Sequence, residues 1–193
     1  GDGYGDNESG TNPDQFPGDG TEWEDRDNDG VGDNADAFVF DPTQSSDSDA
    51  DGYGDNRTGS NADAFPNNPL RWADTDKDGY ADQDDAFPND NTQWNDTDGD
   101  GYGDNANGTN PDAFPNDATQ HADRDGDGYG DNPLGLNADA FPSDTTQWSD
   151  QDGDGYGDNP TGQQPDQFPE NPTQYIDDDG DGLGDNQSGT EAD

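Results

Sequence analysis

The chain contains no cysteine and no methionine. Without thiols it can build neither a disulfide framework nor a thiolate metal site. Positive charge is nearly missing as well: 5 Lys plus Arg stand against 50 Asp plus Glu in 193 residues, a formal net charge of -45. A field of that sign repels nucleic acid and anionic membrane surfaces. Apolar residues make up 21% of the sequence, and no stretch approaches the length needed to span a bilayer. The single histidine occupies a slot that sister repeats fill with an aromatic residue, so no Ser/His/Asp set is expected around it, and no phosphate-binding loop with its lysine is present. Carboxylate pairs recur everywhere without a distinguished pocket, and we read the protein as a non-enzyme. With 28 Gly and 14 Pro, helices are disfavoured, and no alternating run survives the turn residues to make a strand.

Such numbers taken alone describe a disordered chain. The order of the residues argues otherwise, because the acids return in a fixed frame. In the second copy of that frame Asp25, Asp27 and Asp29 alternate, Gly30 follows, then Val31, Gly32 and Asp33, and Asp36 closes the run. Counted from Asp25, carboxylates fall at positions 1, 3, 5, 9 and 12, with a turn glycine at 6 and a backbone carbonyl at 7. An EF-hand loop distributes its oxygens in the same way. A hard divalent cation wants six to eight oxygens, and alternating positions of a curling loop point inward, so this spacing reads as a calcium ligand set.

The third copy offers Asp47, Asp49, Asp51, Asp55 and Asp63, and the fourth Asp74, Asp76, Asp78, Asp82 and Asp85. The fifth offers Asp96, Asp98, Asp100, Asp104 and Asp112, and the sixth Asp123, Asp125, Asp127, Asp131 and Asp139. The seventh has Asp150, Asp152, Asp154, Asp158 and Asp166; the eighth has Asp177, Asp179, Asp181, Asp185 and Asp193. The first is cut to Asp2, Asp6 and Asp14. Position 7 holds Val31, Tyr53, Tyr80, Tyr102, Tyr129, Tyr156 and Leu183, so only its carbonyl is expected to serve the ion.

Two repeat lengths coexist, 22 and 27 residues. The short form runs from Asp33-Asn34 to Asp36, and from Asp82-Gln83 to Asp85; the long form inserts five residues, such as 57–61, and its closing aspartate falls at position 17. We therefore expect residues 1–193 to form one continuous array of eight repeats, the first and last incomplete. Because both ends cut through a repeat, we expect a window on a longer repetitive polypeptide. Position 15 of the long loops holds Asn12, Asn61, Asn110, Asn137, Gln164 and Glu191, which either shape a turn or offer oxygen to a second ion.

After each closing aspartate comes Phe, usually followed by Pro, then a polar turn and a Thr-Gln or similar pair. An aromatic slot two residues before the next loop holds Trp23, Ser45, Trp72, Trp94, His121, Trp148 and Tyr175. His121 thus stands where sister repeats place Trp, and we expect packing from it and not catalysis or metal ligation. Three aromatics per repeat bury far too little to offset the entropy of ordering some 27 residues. The fold is expected to come from metal ligation, with the aromatics as spacers between loops. Repeats this short touch only their neighbours, which predicts an irregular, coil-rich, calcium-stabilised rod.

The motif D-x-D-x-D-G-x-G-D, a closing aspartate, and Phe-Pro at the place of Cys-Pro resembles the thrombospondin type 3 repeats over essentially the whole chain. The resemblance implies an extracellular stretch with little regular secondary structure wrapped around a row of calcium ions, in some members more than one per repeat. The absence of cysteine departs from the animal proteins and is similar to versions in large bacterial and archaeal surface proteins. It implies greater dependence on calcium.

Three functional classes follow. The first is a structural rod, stalk or filament shaft at the cell surface, joining adhesive to anchoring parts or polymerising with identical chains. The second is a calcium reservoir or mineral-contacting surface. The third, a calcium sensor, needs an apolar groove, usually rich in Met, and the chain has no Met and no amphipathic helix. Glycan attachment is a further expectation, from Asn-x-Ser/Thr triplets at Asn7, Asn56, Asn95, Asn107 and Asn186.

Overall fold

A computed structural model describes residues 4, 5, 9–11 and 13–192. Asp2, Asp6 and Asp193, named above as ligands, lie outside the described residues, as do Asn7 and Asn12. Among the described residues there is no helix and no extended strand; turns and bends dominate, joined by isolated parallel bridges. The chain divides into two compact units, Gly1–Trp94 and Asn95–Asp193. The first holds both short loops. In the second, all four loops are of the long form.

Glycine and aspartate together make the local curl. Position 6 is glycine in every described loop and takes a left-handed backbone, for instance Gly30 at φ 96° and Gly128 at φ 93°. Position 4 is left-handed too, even where Asn28, Ala50 and Lys77 stand there with φ of 65°, 66° and 67°. The amide of position 9 then reaches back across the loop, as in Asp55 N to Ser46 O at 2.9 Å and Asp131 N to Ala122 O at 2.9 Å.

The five-residue insertion leaves the closing aspartate where the short form has it. In both forms the closing N–H donates to the carbonyl of position 8: Asp36 to Gly32 at 2.9 Å, Asp85 to Ala81 at 3.0 Å, Asp63 to Gly54 at 2.8 Å and Asp139 to Gly130 at 2.8 Å. The insertion is an excursion whose base is pinned by bridges such as Gly54 with Ala62 and Gly157 with Pro165. It turns on position 15, where Asn61, Asn110, Asn137, Gln164 and Glu191 have φ between 45° and 58°. Asparagine tolerates that conformation better than most residues, which accounts for its frequency there.

There is almost no apolar core. The only buried hydrophobic residue among those described is Ala81, while the most deeply buried side chains are Gln93, Gln120, Gln147, Gln174 and Asp63. Each of Gln44, Gln120, Gln147 and Gln174 stands three residues before a long loop and fills the bay that the insertion creates. Gln120 Nε2 donates to Asn132 O at 2.9 Å and Leu136 O at 3.0 Å, and its Oε1 accepts from Asn132 N at 2.9 Å. The neighbouring threonine completes the clasp, Thr119 Oγ1 accepting from Leu136 N at 2.8 Å. The short loops carry Glu22 and Arg71 at this place. Arg71 turns out to pair with Asp84, and only there is position 8 an alanine, Ala81. At Gly54, Gly130, Gly157 and Gly184 a Cβ at position 8 would land on the glutamine, and at Gly32 on Glu22.

Aromatic rings pair along the chain, the ring of position 7 stacking on the next slot. Tyr53 on Trp72, Tyr80 on Trp94 and Tyr129 on Trp148 have centroids 5.1 Å apart. His121 stacks on Tyr102 at 3.8 Å, in keeping with a packing role. Val31 and Ser45 lack rings at both places of one pair, so the aromatic residues come and go together.

Candidate metal centre

The alternating aspartates divide the labour within each loop. The aspartate at position 1 closes the curl: Asp47 Oδ1 accepts from Ala50 N at 2.7 Å and Oδ2 from Gly52 N at 2.9 Å. The same pair of bonds recurs at Asp25, Asp96, Asp123, Asp150 and Asp177. Position 9 braces the loop entrance. Asp55 takes Ser48 N at 3.1 Å and Ser48 Oγ at 2.7 Å, and Asp82 takes Thr75 N at 2.7 Å and Thr75 Oγ1 at 2.6 Å.

Positions 3, 5 and the closing aspartate behave differently. Each typically gives Oδ1 to the backbone N–H two residues on and leaves Oδ2 without a donor. In the sixth loop Asp125 accepts from Asp127 N at 3.2 Å, Asp127 from Tyr129 N at 2.9 Å and Asp139 from Phe141 N at 2.7 Å. The Oδ2 atoms of Asp125, Asp127 and Asp139 are all buried and unpartnered. The seventh loop repeats this with Asp152, Asp154 and Asp166. In the third, Asp51 Oδ2, Asp63 Oδ2 and both oxygens of Asp49 are left, because Asp51 N bonds Asp47 instead of Asp49. Asp98 and Asp112 supply orphan oxygens in the fifth loop, Asp76 and Asp78 in the fourth, and Asp27 in the second.

The alternating aspartates of the curl converge. One carboxylate oxygen from each of positions 1, 3 and 5 lies within 4.8 Å of the others in loops including Asp25-Asp27-Asp29, Asp47-Asp49-Asp51, Asp74-Asp76-Asp78, Asp96-Asp98-Asp100 and Asp123-Asp125-Asp127. The closing aspartates Asp63, Asp112, Asp139 and Asp166 are 1 to 4% exposed. Burial first, and then the charges of Asp51, Asp49 and Asp55, push the Asp63 carboxyl above the usual carboxylate range, while the N–H of Phe65 pulls it down. Asp112, Asp139 and Asp166 are raised for the same reasons by their own loops. A carboxyl raised in the folded state favours folding when protonated. Its contribution is present at low pH and lost as pH rises through the raised pKa. At neutral pH the loops hold a charge that a bound cation would offset.

The arrangement is oxygen only: the third, sixth and seventh loops gather buried, unpartnered carboxylate oxygens from all three places, and the second, fourth and fifth from one or two of them. Unpaired groups of this kind are costly to bury, and a hard divalent cation is the partner that suits them. No family model matches the chain, and no curated protein matches it.

Sequence reasoning found the aspartates and the equivalence of the two closing positions, but assigned no role to the glutamines. The available signal was covariation within the chain: glutamine precedes every long loop, and Glu22 and Arg71 precede the short ones. It also missed that position 1 accepts backbone N–H groups with both oxygens and that position 9 accepts a backbone N–H and, in several loops, a Ser or Thr hydroxyl. Position 10 is structural as well, Asn56 and Asn186 each donating Nδ2 to the carbonyls of Thr43 and Thr173 at 2.8 Å. In those two triplets one N–H of the side-chain amide is therefore engaged in the folded chain.

Replacing Asp139 by Asn should separate ligation from folding. Asparagine retains the Oδ1 acceptor for Phe141 but loses the charge and the orphan carboxylate oxygen. We expect the calcium affinity of that loop to fall by roughly tenfold or more, while at saturating calcium the bond to Phe141 and the protection of the loop are kept. Isothermal titration, with hydrogen exchange over residues 123–141 in saturating calcium, checks both halves.

Proposed function

We propose that the protein is a calcium-binding structural segment, holding at least one ion in each complete loop. The observation that carries this reading is the repeated set of buried carboxylate oxygens with no donor at positions 3, 5 and closing. Asp125, Asp127 and Asp139 would hold the ion in the sixth loop, with Asp123 and the carbonyl of Tyr129 completing the shell. The other loops use their equivalents, including the carbonyls of Val31, Tyr53, Tyr80, Tyr102, Tyr156 and Leu183. Bound calcium would supply the positive charge that lets these buried carboxylates stay together, so the loop takes its shape with the ion. Magnesium should substitute poorly, since it prefers smaller octahedral sites and keeps its water.

Resemblance to the thrombospondin type 3 repeats supports the same reading and an extracellular or cell-surface setting, as a stalk, spacer or filament shaft. Extracellular modules bind calcium at roughly 10⁻⁴ to 10⁻³ M, so loops of this kind stay loaded outside cells. Among the described residues no helix is long and apolar enough to cross a membrane. A second ion near position 15 of the long loops belongs to this proposal, although the residues there already have a turn to make.

Equilibrium dialysis against calcium followed by elemental analysis tests the assignment. About seven ions per chain are expected, one for each complete loop. Fewer than half that number would defeat it.

A further inference from the structure

Six stacked ring pairs are described, and one of them joins two phenols. Tyr156 and Tyr175 have centroids 3.8 Å apart and planes inclined by 4°. Four of the other pairs couple tyrosine to tryptophan and one couples it to histidine. The neighbouring Tyr175 hydroxyl, and after it burial, hold the Tyr156 phenol above its ordinary range. Parallel rings with neighbouring hydroxyls bring the ortho carbons of one ring near those of the other. Both residues are half-buried. Their faces are turned to one another, while small molecules can still reach their edges.

We propose that Tyr156 and Tyr175 are a site of oxidative dityrosine formation, the oxidant being hydrogen peroxide acting through a haem peroxidase or a similar one-electron oxidant. Each phenol gives up one electron and its hydroxyl proton, leaving two phenoxyl radicals with spin density on the ortho carbons. The radicals combine to form a single Cε–Cε bond, and the hydrogens on those carbons pass to the phenol oxygens as the rings regain aromaticity. Two hydrogen atoms leave the protein in all, and one hydrogen peroxide is reduced to two waters. The stacked arrangement holds the partners together before oxidation, so that coupling within the pair competes well with encounters between chains.

The bond would tie position 7 of the seventh loop to the slot before the eighth, enclosing the closing Asp166 and Phe168. In a chain without cysteine it supplies the covalent staple that a disulfide gives elsewhere, and it constrains the unfolded chain in the same way. The inference stands on ring geometry and does not rest on the identity of the bound ion.

The test uses the full chain, dilute and in calcium, treated with hydrogen peroxide and a haem peroxidase. Dityrosine fluorescence, intact mass and a peptide map of the monomer are read together. The expected product is a monomer lighter by two hydrogens, with the peptides carrying Tyr156 and Tyr175 joined, at a yield several-fold above any other tyrosine pair. A Tyr175→Trp chain, which restores the ring pair of the sister repeats, should keep the parent's calcium stoichiometry and lose this product. A monomer with no Tyr156 to Tyr175 link overturns the proposal, and so does an undiminished dityrosine yield in Tyr175→Trp. Calcium stoichiometry is measured separately, so a failure of the calcium reading shows there and not in the cross-link.

Discussion

Chelation of calcium is expected to unfold the chain into an expanded coil, the largest single effect we anticipate. The reason lies in what is buried. Apart from Ala81 and the glycines at position 8, the buried residues described are glutamines and acids, and nine-tenths or more of Asp14, Asp63, Asp112, Asp139 and Asp166 is out of water. Without a cation their orphan oxygens cost free energy, and a net charge of -45 opposes any compact state. Seven calcium ions bring that charge to about -31, so binding and folding should be a single event. Fluorescence of Trp23, Trp72, Trp94 and Trp148 should shift as the stacks on Tyr4, Tyr53, Tyr80 and Tyr129 come apart. A chelated chain that keeps its hydrodynamic radius and its tryptophan spectrum would make calcium a cargo on a preformed scaffold, and the reservoir class would replace the structural one.

Replacing Gln147 by Leu should cost about 3 to 5 kcal/mol, confined to the seventh loop and its neighbours. The side chain is 1% exposed and bonds three backbone groups: Nε2 to Asn159 O and Gln163 O at 3.1 Å, and Oε1 from Asn159 N at 2.9 Å. Leucine has a similar size but satisfies none of them, leaving a buried donor and two acceptors unpaired. The insertion should then lose its shape while the curl of positions 1 to 9 survives. Hydrogen exchange should show lost protection over 157–166, with residues 123–131 unchanged. A Gly157→Ala change strikes the same clasp from the other side, since its Cβ would land on Gln147 Cδ and Oε1. In a Gln147→Ala background the added methyl has room, so the two changes should be strongly non-additive. The fourth loop already carries a matched version, with Ala81 at position 8 and Arg71 turned away towards Asp84.

Much of the candidate site is legible in the residues because its logic is local. An aspartate at positions 3 or 5 meets backbone N–H groups two residues away, so spacing alone decides where its free oxygen points. Gly30 and its counterparts can be assigned on the same ground, since the curl needs a left-handed residue there. The equivalence of Asp36 and Asp63 is readable from the five-residue difference in length, and the shared hydrogen bond to position 8 gives it a physical basis. His121 is readable by register, as one more ring in a series.

Sequence by itself determined the absence of helix among the described residues, the frame of the loops and the carboxylates that turn inward, because each depends on contacts within a few residues. Tertiary structure alone decided which polar groups are buried and which rings meet. Gln120 reaches residues twelve and sixteen positions away, and no pattern of polarity marks a glutamine as the most buried side chain of its repeat. Tyr156 and Tyr175 meet only because the insertion folds back to its base and brings the slot under position 7. The division of oxygens between bracing and ligation was hidden for a related reason. All the aspartates are alike in the sequence, and the closed loop gives some of them donors and leaves others without.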